Sequence, residues 1–270
     1  MTSLQKEVFD AVKKVWDAKP LVCSITNYVT VNFVANAQLA CGGLAAMVYN
    51  SDEAENLIKA GASVYINLGT LLPVHKESML HAAKVCADSG HPFVLDPVAI
   101  GLGSLRTEIA MALKQYKPSI IRGNASEIIA LAKMWNLFSE DKKGNVHGVE
   151  STDKVDDAKD AAIALALYTG GAAAVSGPVD LITDGNEVVR LSGGSPIMER
   201  VTGSGCSLGG VMAVYACVAK PFVAAVAASA LYKLSGSRAA FKSEGPGGFY
   251  VNFIDGLSSA SAEDIAGELQ

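Results

Sequence analysis

Several patterns that would assign a function at sight are missing. The five cysteines, Cys23, Cys41, Cys86, Cys206 and Cys217, are odd in number, scattered, and form no C-x-x-C pair. Neither a disulfide framework nor a zinc site is suggested, and a reducing compartment fits best. No Lys/Arg-rich run occurs, and 22 basic against 27 acidic residues leave a formal net charge of −5, so neither nucleic acid nor an anionic membrane is expected as the main partner. The most apolar region, 208–231, is interrupted by Lys220-Pro221 and is rich in alanine and glycine, which falls short of a membrane span. The opening MTSLQKEVFDAVKKVWDAKP has no apolar core or small-residue cleavage site of a signal peptide, and a cytoplasmic location is expected. The Gly-Lys-Ser/Thr ending of a P-loop is absent, and Gly203, Gly205 and Gly209 depart from G-x-G-x-x-G spacing, which argues against a P-loop or a Rossmann dinucleotide site. There is no internal repeat and no low-complexity tract.

What is present is a chain of 270 residues, half of them hydrophobic, long enough for one α/β domain spanning 1–270. Short apolar runs, LVCSIT, LAAMVY, SVYINLG, PFVLDPV and SIIRGN, alternate with segments of helical spacing. That alternation predicts βαβ units: a three-layer architecture with a mostly parallel central sheet and helices on both faces. The first segment places Val8, Val12, Val15 and Trp16 on one side of a helix. Helix ends are expected at Gly42-Gly43, Gly61, Gly90 and Gly170-Gly171, where a positive φ is needed just past the last turn. Asp184-Gly185 between two apolar runs predicts an antiparallel hairpin at the end of the sheet. From Gly205 onward the pattern is helical, with Pro221 opening one helix and a final helix near the C-terminus. SEDKKGNVHG, 139–148, is polar and glycine-containing and reads as a mobile surface loop.

In an open parallel sheet, ligands bind beyond the carboxyl ends of the strands. The polar residues falling there are Thr26 and Asn27, then Tyr49 and Asn50 with Met47, then Asn67, Asp96, Arg122, Asn124, Glu127 and Ser176. Any one of them is more often a turn former or a cap than a ligand; their shared edge makes them a candidate site. Val201-Thr202-Gly203-Ser204-Gly205-Cys206 runs straight into an apolar helix, which would turn free backbone N–H groups and the positive dipole end toward an anion. Cys206 in the first turn is expected to have a lowered thiol pKa, with a buried structural cysteine as the alternative. Asp96 and Glu127 are placed to hold Mg²⁺ directly or through water. The plainer reading of Glu127 is a cap partner of Asn124 at the start of SEIIALAKMW.

The segments LVCSITNYVTVNFVAN, VLDPVAIG, IIRGNASEIIAL, GVES, VTGSGCSLGG and GPGGFYVNFIDGL, in this order over residues 20–257, together resemble the hydroxyethylthiazole kinases of the ribokinase-like superfamily. The resemblance implies ATP-dependent phosphorylation, with Mg²⁺, of the hydroxyl of 4-methyl-5-(2-hydroxyethyl)thiazole, a salvage step toward thiamine phosphate. It also implies a homotrimer with active sites between subunits. Met47 then matches the thiazole-contacting methionine and Gly203 the glycine that approaches the substrate, with Asn27 and Val29 beside the pocket. Arg122 and Ser176 match ATP-binding positions, although many relatives carry threonine in place of Ser176. The backbone of Gly203, Ser204, Gly205 and Cys206 becomes the phosphoryl-stabilising turn. Cys206 stands where many ribokinase-like kinases place an aspartate base, so its role as proton acceptor or as positioner of the hydroxyl stays open. Two alternatives remain. One keeps the fold with another substrate, a hydroxymethylpyrimidine, pyridoxal or a sugar, or with the ATP-dependent dehydration of hydrated nicotinamide cofactors. The other is a non-catalytic ligand-binding protein on the same fold.

Overall fold

A computed structural model describes residues 1–138 and 155–269. The expected loop 139–148 and the GVES segment lie outside the described residues. The strands are β1 (Leu21–Ile25), β2 (Leu44–Met47), β3 (Ser63–Asn67), β4 (Phe93–Asp96), β5 (Ile120–Asn124), β6 (Ala172–Ser176), β7 (Asp180–Thr183) and β8 (Val188–Leu191). The helices are α1 (Ser3–Ala18), α2 (Val31–Ala40), α3 (Ser51–Lys59), α4 (Pro73–Ser89), α5 (Ser104–Leu113), α6 (Ala125–Met134), α7 (Lys159–Thr169), α8 (Ser204–Ala216), α9 (Pro221–Phe241), α10 (Pro246–Ser259) and α11 (Ala262–Gly267).

One sheet runs β2-β1-β3-β4-β5-β6-β7-β8, parallel from β2 through β6 and antiparallel at β6/β7 and β7/β8. Parallel strands need cover on both faces, and here successive residues feed two separate apolar layers. Val22, Tyr65, Val94 and Ile120 face the layer built with α1, α2, α8, α9 and α10. Cys23, Ile66, Leu95 and Ile121 face the layer built with α3 through α7. The three-layer expectation is met, and the two layers explain why the central strands read as unbroken apolar runs.

Local signals behave as their chemistry predicts. Gly90 and Gly170 close α4 and α7 in the left-handed conformation, at φ 74° and 70°. The β7–β8 hairpin forms around Asp184-Gly185, where Asp184 Oδ1 accepts the N–H groups of Asn186 and Glu187, both at 2.8 Å. Two expectations change. Trp16 does not join the buried stripe of α1: Ala11 takes that place with Val8, Val12 and Val15, while Trp16 is 41% exposed with its ring against Gly42. The C-terminal region holds two helices rather than one, because the chain extends at Ala260 and Ser261 then caps α11 by accepting the Asp264 N–H. No helix among the described residues is long and apolar enough to cross a membrane.

The element that positions the site is α8. Its small residues let it lie close beneath the sheet: a Cβ on Gly209 would stand 2.5 Å from the Tyr65 ring, and one on Gly210 would stand 2.8 Å from Val34. That close fit fixes where the first turn of α8 meets the carboxyl ends of β3, β4 and β5.

Candidate active site

The glycine turn enters α8 with its backbone groups open. Gly203, at φ 97°, occupies the cap position, and a Cβ there would press on Thr30 and Phe33 at 3.1 Å. No side chain caps this helix start. The N–H groups of Gly205 and Cys206 meet no acceptor among the described residues, so the first turn presents donors and the positive end of the helix dipole together. Ser204 is fixed by its hydroxyl, which donates to Met198 O at 2.8 Å. The Arg122 guanidinium lies against Gly205 so closely that a Cβ would sit 2.9 Å from Nη2.

Arg122 links this turn to the strand ends. It is 7% exposed. Its Nε and Nη2 donate to Ser176 Oγ at 3.2 and 3.0 Å, and its Nη1 reaches Asp96 Oδ2 at 3.4 Å. Asp96 Oδ2 also accepts from Asn67 Nδ2 at 3.0 Å. The Tyr65 hydroxyl stands 2.9 Å from the same oxygen and 2.6 Å from the Cys206 carbonyl, with one hydrogen to serve both. Asp96 Oδ1 is buried and has no partner among the described residues. Burial pushes the Asp96 carboxyl up to about 6; Arg122 pulls it down and Glu127 raises it, with burial prevailing.

Asn27 is held rigidly. Its Oδ1 accepts the Val29 and Thr30 N–H groups at 3.1 and 3.2 Å, and its Nδ2 donates to Asn67 Oδ1 at 2.8 Å with Cys206 Sγ at 3.8 Å. The thiol itself departs from the expectation drawn from its helix position. Burial raises the Cys206 pKa above its ordinary value of 9.0, the Asp96 charge raises it further, and Arg122 only partly offsets them. Desolvation and a nearby carboxylate raise the thiol pKa, so the thiol is protonated at neutral pH.

Glu127 takes the plainer of its two expected roles. Its Oε2 accepts the Asn124 N–H at 2.9 Å while Asn124 Oδ1 accepts the Glu127 N–H at 2.9 Å, a complete capping box. Its Oε1 accepts the Ala99 N–H at 3.0 Å, which also ties down the loop after β4. Met47 closes edge strand β2 half-buried, and Val29 is 65% exposed; neither side chain enters the hydrogen-bonded network, which Val29 joins only through its N–H. The structure therefore joins Asn27, Asp96, Arg122, Ser176 and the 203–206 turn directly, and Glu127 through its charge. Tyr65 and Asn67 complete the network. Asn67 was among the strand-end candidates, whereas Tyr65 was not; the available signal was a phenol in a fully buried strand, which must find a polar partner. Beside the turn opens a cavity of about 490 Å³, lined in part by Ser176, Gly177, Pro178, Gly193, Met198 and Ser204.

This arrangement offers a cation, a hydroxyl and free N–H groups to an anion, with carboxylates alongside. The hydroxyethylthiazole kinase family model matches residues 12–263. A hydroxyethylthiazole kinase of Bifidobacterium longum (strain DJO10A) is 46% identical over 281 residues, covering 97% of this chain and 90% of the relative. Among solved structures, the hydroxyethylthiazole kinase protein from Pyrococcus horikoshii OT3 superposes with a TM-score of 0.84 at 30% identity, over 95% of this chain and 94% of the other. A pyridoxal kinase from Staphylococcus aureus in complex with ADP, at 17% identity and a TM-score of 0.56 over 81% of this chain and 88% of the other, shares the fold alone. The fold is ribokinase-like, and the chain belongs to the hydroxyethylthiazole kinase family.

Proposed function

We propose that this chain, acting as one catalytic domain, transfers the terminal phosphoryl group of ATP to the hydroxyl of 4-methyl-5-(2-hydroxyethyl)thiazole, a salvage step toward thiamine phosphate. The observation that carries the reading is the start of α8, whose Gly205 and Cys206 N–H groups have no acceptor and lie beside the Arg122 guanidinium. Phosphoryl transfer has a loose transition state with charge spread over the equatorial oxygens, so fixed donors supply most of the acceleration. Arg122 and Ser176 hold the triphosphate of ATP, and the backbone of Gly203, Ser204, Gly205 and Cys206 stabilises the moving group. Met47, Val29, Asn27 and Gly203 surround the thiazole alcohol.

A protonated Cys206 is a poor base, and it is assigned to positioning: its sulfur accepts a weak hydrogen bond from the acceptor hydroxyl and aims the oxygen along the line of transfer. Little base strength is needed when bond breaking runs ahead of bond formation; as the oxygen bonds to phosphorus and the bond to ADP breaks, the hydroxyl proton passes to an oxygen of the transferred phosphoryl group and from there to water.

Mg²⁺ is the assigned cation. Asp96 fits as the site's anchor, because its Oδ1 is an orphaned buried acceptor. Glu127 has each oxygen already bound to a backbone N–H, so it fits as a second, water-mediated partner through its remaining lone pairs. No group of three or more His, Cys, Asp or Glu side chains gathers among the described residues, which suits an ion that keeps most of its waters and binds phosphate oxygens. A cation bound there supplies charge neutralisation of the phosphates.

The exposure of Val29 and the half-buried edge strand carrying Met47 support a homotrimer in which a neighbouring copy closes the alcohol pocket. A cytoplasmic location accords with the unpaired cysteines. The test is ADP formation by purified protein with Mg·ATP, comparing the thiazole alcohol with hydroxymethylpyrimidine, pyridoxal, ribose and no acceptor. Stimulation by the thiazole alcohol alone is expected. Stimulation by another alcohol overturns the pocket assignment, and the absence of turnover with every acceptor overturns the catalytic reading.

A further inference from the structure

A second charged pair is as deeply buried as Arg122 and Asp96 and takes no part in the chemistry described above. Lys233 on α9 is 6% exposed, and Asp180 at the start of β7 is 4% exposed. The Lys233 ammonium donates to Gly177 O at 2.6 Å and to Pro178 O at 3.1 Å, and it stands 3.0 Å from Asp180 Oδ1. Its three N–H groups thus meet three acceptors. The same Asp180 Oδ1 accepts the Gly177 N–H at 2.9 Å. Both polar backbone groups of Gly177 are therefore tied to one buried ion pair, immediately after Ser176, whose hydroxyl receives Arg122.

The opposite wall of the 490 Å³ cavity is fixed by the same stretch of α9. The Gly194 N–H donates to Lys233 O at 3.0 Å and to Ser237 Oγ at 2.9 Å. A Cβ on Gly194 would lie 3.5 Å from Lys233 Cδ, and one on Gly193 would lie 3.5 Å from Lys233 Cβ. Lys233 thus touches the 176–178 wall with its ammonium and the 193–194 wall with its stem and carbonyl. Replacing a buried ion pair by apolar residues of similar volume is often neutral or stabilising, so stability alone gives no reason for a buried lysine at this position. The geometry gives one.

We infer that Lys233, with Asp180, is a positioning residue for the phosphoryl donor: it fixes the separation of the two walls between which ATP lies, acting through Gly177 and Gly194 rather than touching the nucleotide. The inference rests on the proposed function, in which Arg122 and Ser176 hold the triphosphate, and takes the cavity beside Ser176 as the place of ATP.

The test variant combines Lys233→Met with Asp180→Asn. Methionine keeps the length of the stem, and asparagine keeps an acceptor for the Gly177 N–H while leaving no unpaired charge. The KM for ATP is expected to rise on the order of tenfold, since small misplacements of a donor are costly. The KM for the thiazole alcohol, kcat and the melting temperature should stay near those of the wild type. A folded variant whose KM for ATP is within about twofold of wild type overturns the inference. Should the double variant fail to fold, Ser237→Ala reads the same wall, because it removes the one hydroxyl that accepts the Gly194 N–H and donates to Gly194 O at 3.4 Å. It is expected to raise the KM for ATP about threefold, and no change contradicts the inference. A wild-type protein without turnover would overturn the proposed function instead; MgADP titration by calorimetry then decides the inference, which equal affinities for wild type and variants overturn.

Discussion

Of the helices that begin at the carboxyl edge of this sheet, α6 and α8 begin differently. At α6, Asn124 and Glu127 satisfy each other's backbone N–H groups in a reciprocal box. At α8, Gly203 supplies no side chain, and the Gly205 and Cys206 N–H groups remain open. A side-chain cap contributes about 1 kcal/mol to helix stability. The α8 start forgoes that contribution and holds an arginine beside its open donors. The capped start secures the scaffold and orients the Glu127 carboxylate; in the proposed function the open start of α8 receives the phosphates.

The comparison is tested first where the largest loss is expected. Arg122→Lys keeps one charge opposite Asp96 but loses the fork that spans Ser176 and Asp96. Its kcat/KM should fall on the order of a hundredfold with little change in melting temperature. Gly205→Ala should lower kcat/KM on the order of tenfold or more, because the new Cβ meets the Arg122 guanidinium at 2.9 Å. Its stability should hold, since alanine favours a helix over glycine. Asn124→Ala should reverse that pattern: denaturant unfolding should show a loss of about 1 kcal/mol, while kcat/KM stays near wild type. If Asn124→Ala stops turnover without destabilising the protein, the α6 start is not merely structural.

The smallest effect concerns the thiols. Burial raises the pKa of Cys206 and Cys217 above 9.0 and pushes Cys23, Cys41 and Cys86 up to about 12. A raised pKa leaves each group protonated at neutral pH, with thiolate appearing only as pH climbs past the raised value. Iodoacetamide should therefore label the native protein slowly near pH 7, with the Cys206 rate rising only above about pH 9. Rapid labelling of Cys206 near neutrality would restore the thiolate that the helix position alone suggests.

The residues at the strand ends were legible because parallel strands announce themselves as apolar runs and stop at their first polar residues. Asn124 as a cap of Glu127 was legible from sequence spacing, and the structure realises it. What sequence could not supply was depth. The thiol pKa of Cys206 turns on burial and on Asp96, which is 110 residues distant in the chain by the difference 206 − 96. Tyr65 was hidden in a strand whose two faces are both buried, so no alternation marked which face met α8. Lys233 did leave a trace, as one charge within ALYKLSG, but its partners Gly177, Pro178 and Asp180 come from another segment. Trp16 was misplaced because a helical stripe is wide enough to admit either Trp16 or Ala11, and contact with Gly42 decides between them.

The central claim is that the open start of α8, and not the capped start of α6, receives the phosphates. Backbone amide NMR on the labelled protein tests it directly, by adding a magnesium complex of a non-hydrolysable ATP analogue. The account predicts large shifts of the Gly205 and Cys206 amide signals, with smaller ones at Ser126 and Glu127, where the carboxylate meets the magnesium only through water. Shifts at Ser126 and Glu127 with Gly205 and Cys206 unmoved would contradict it.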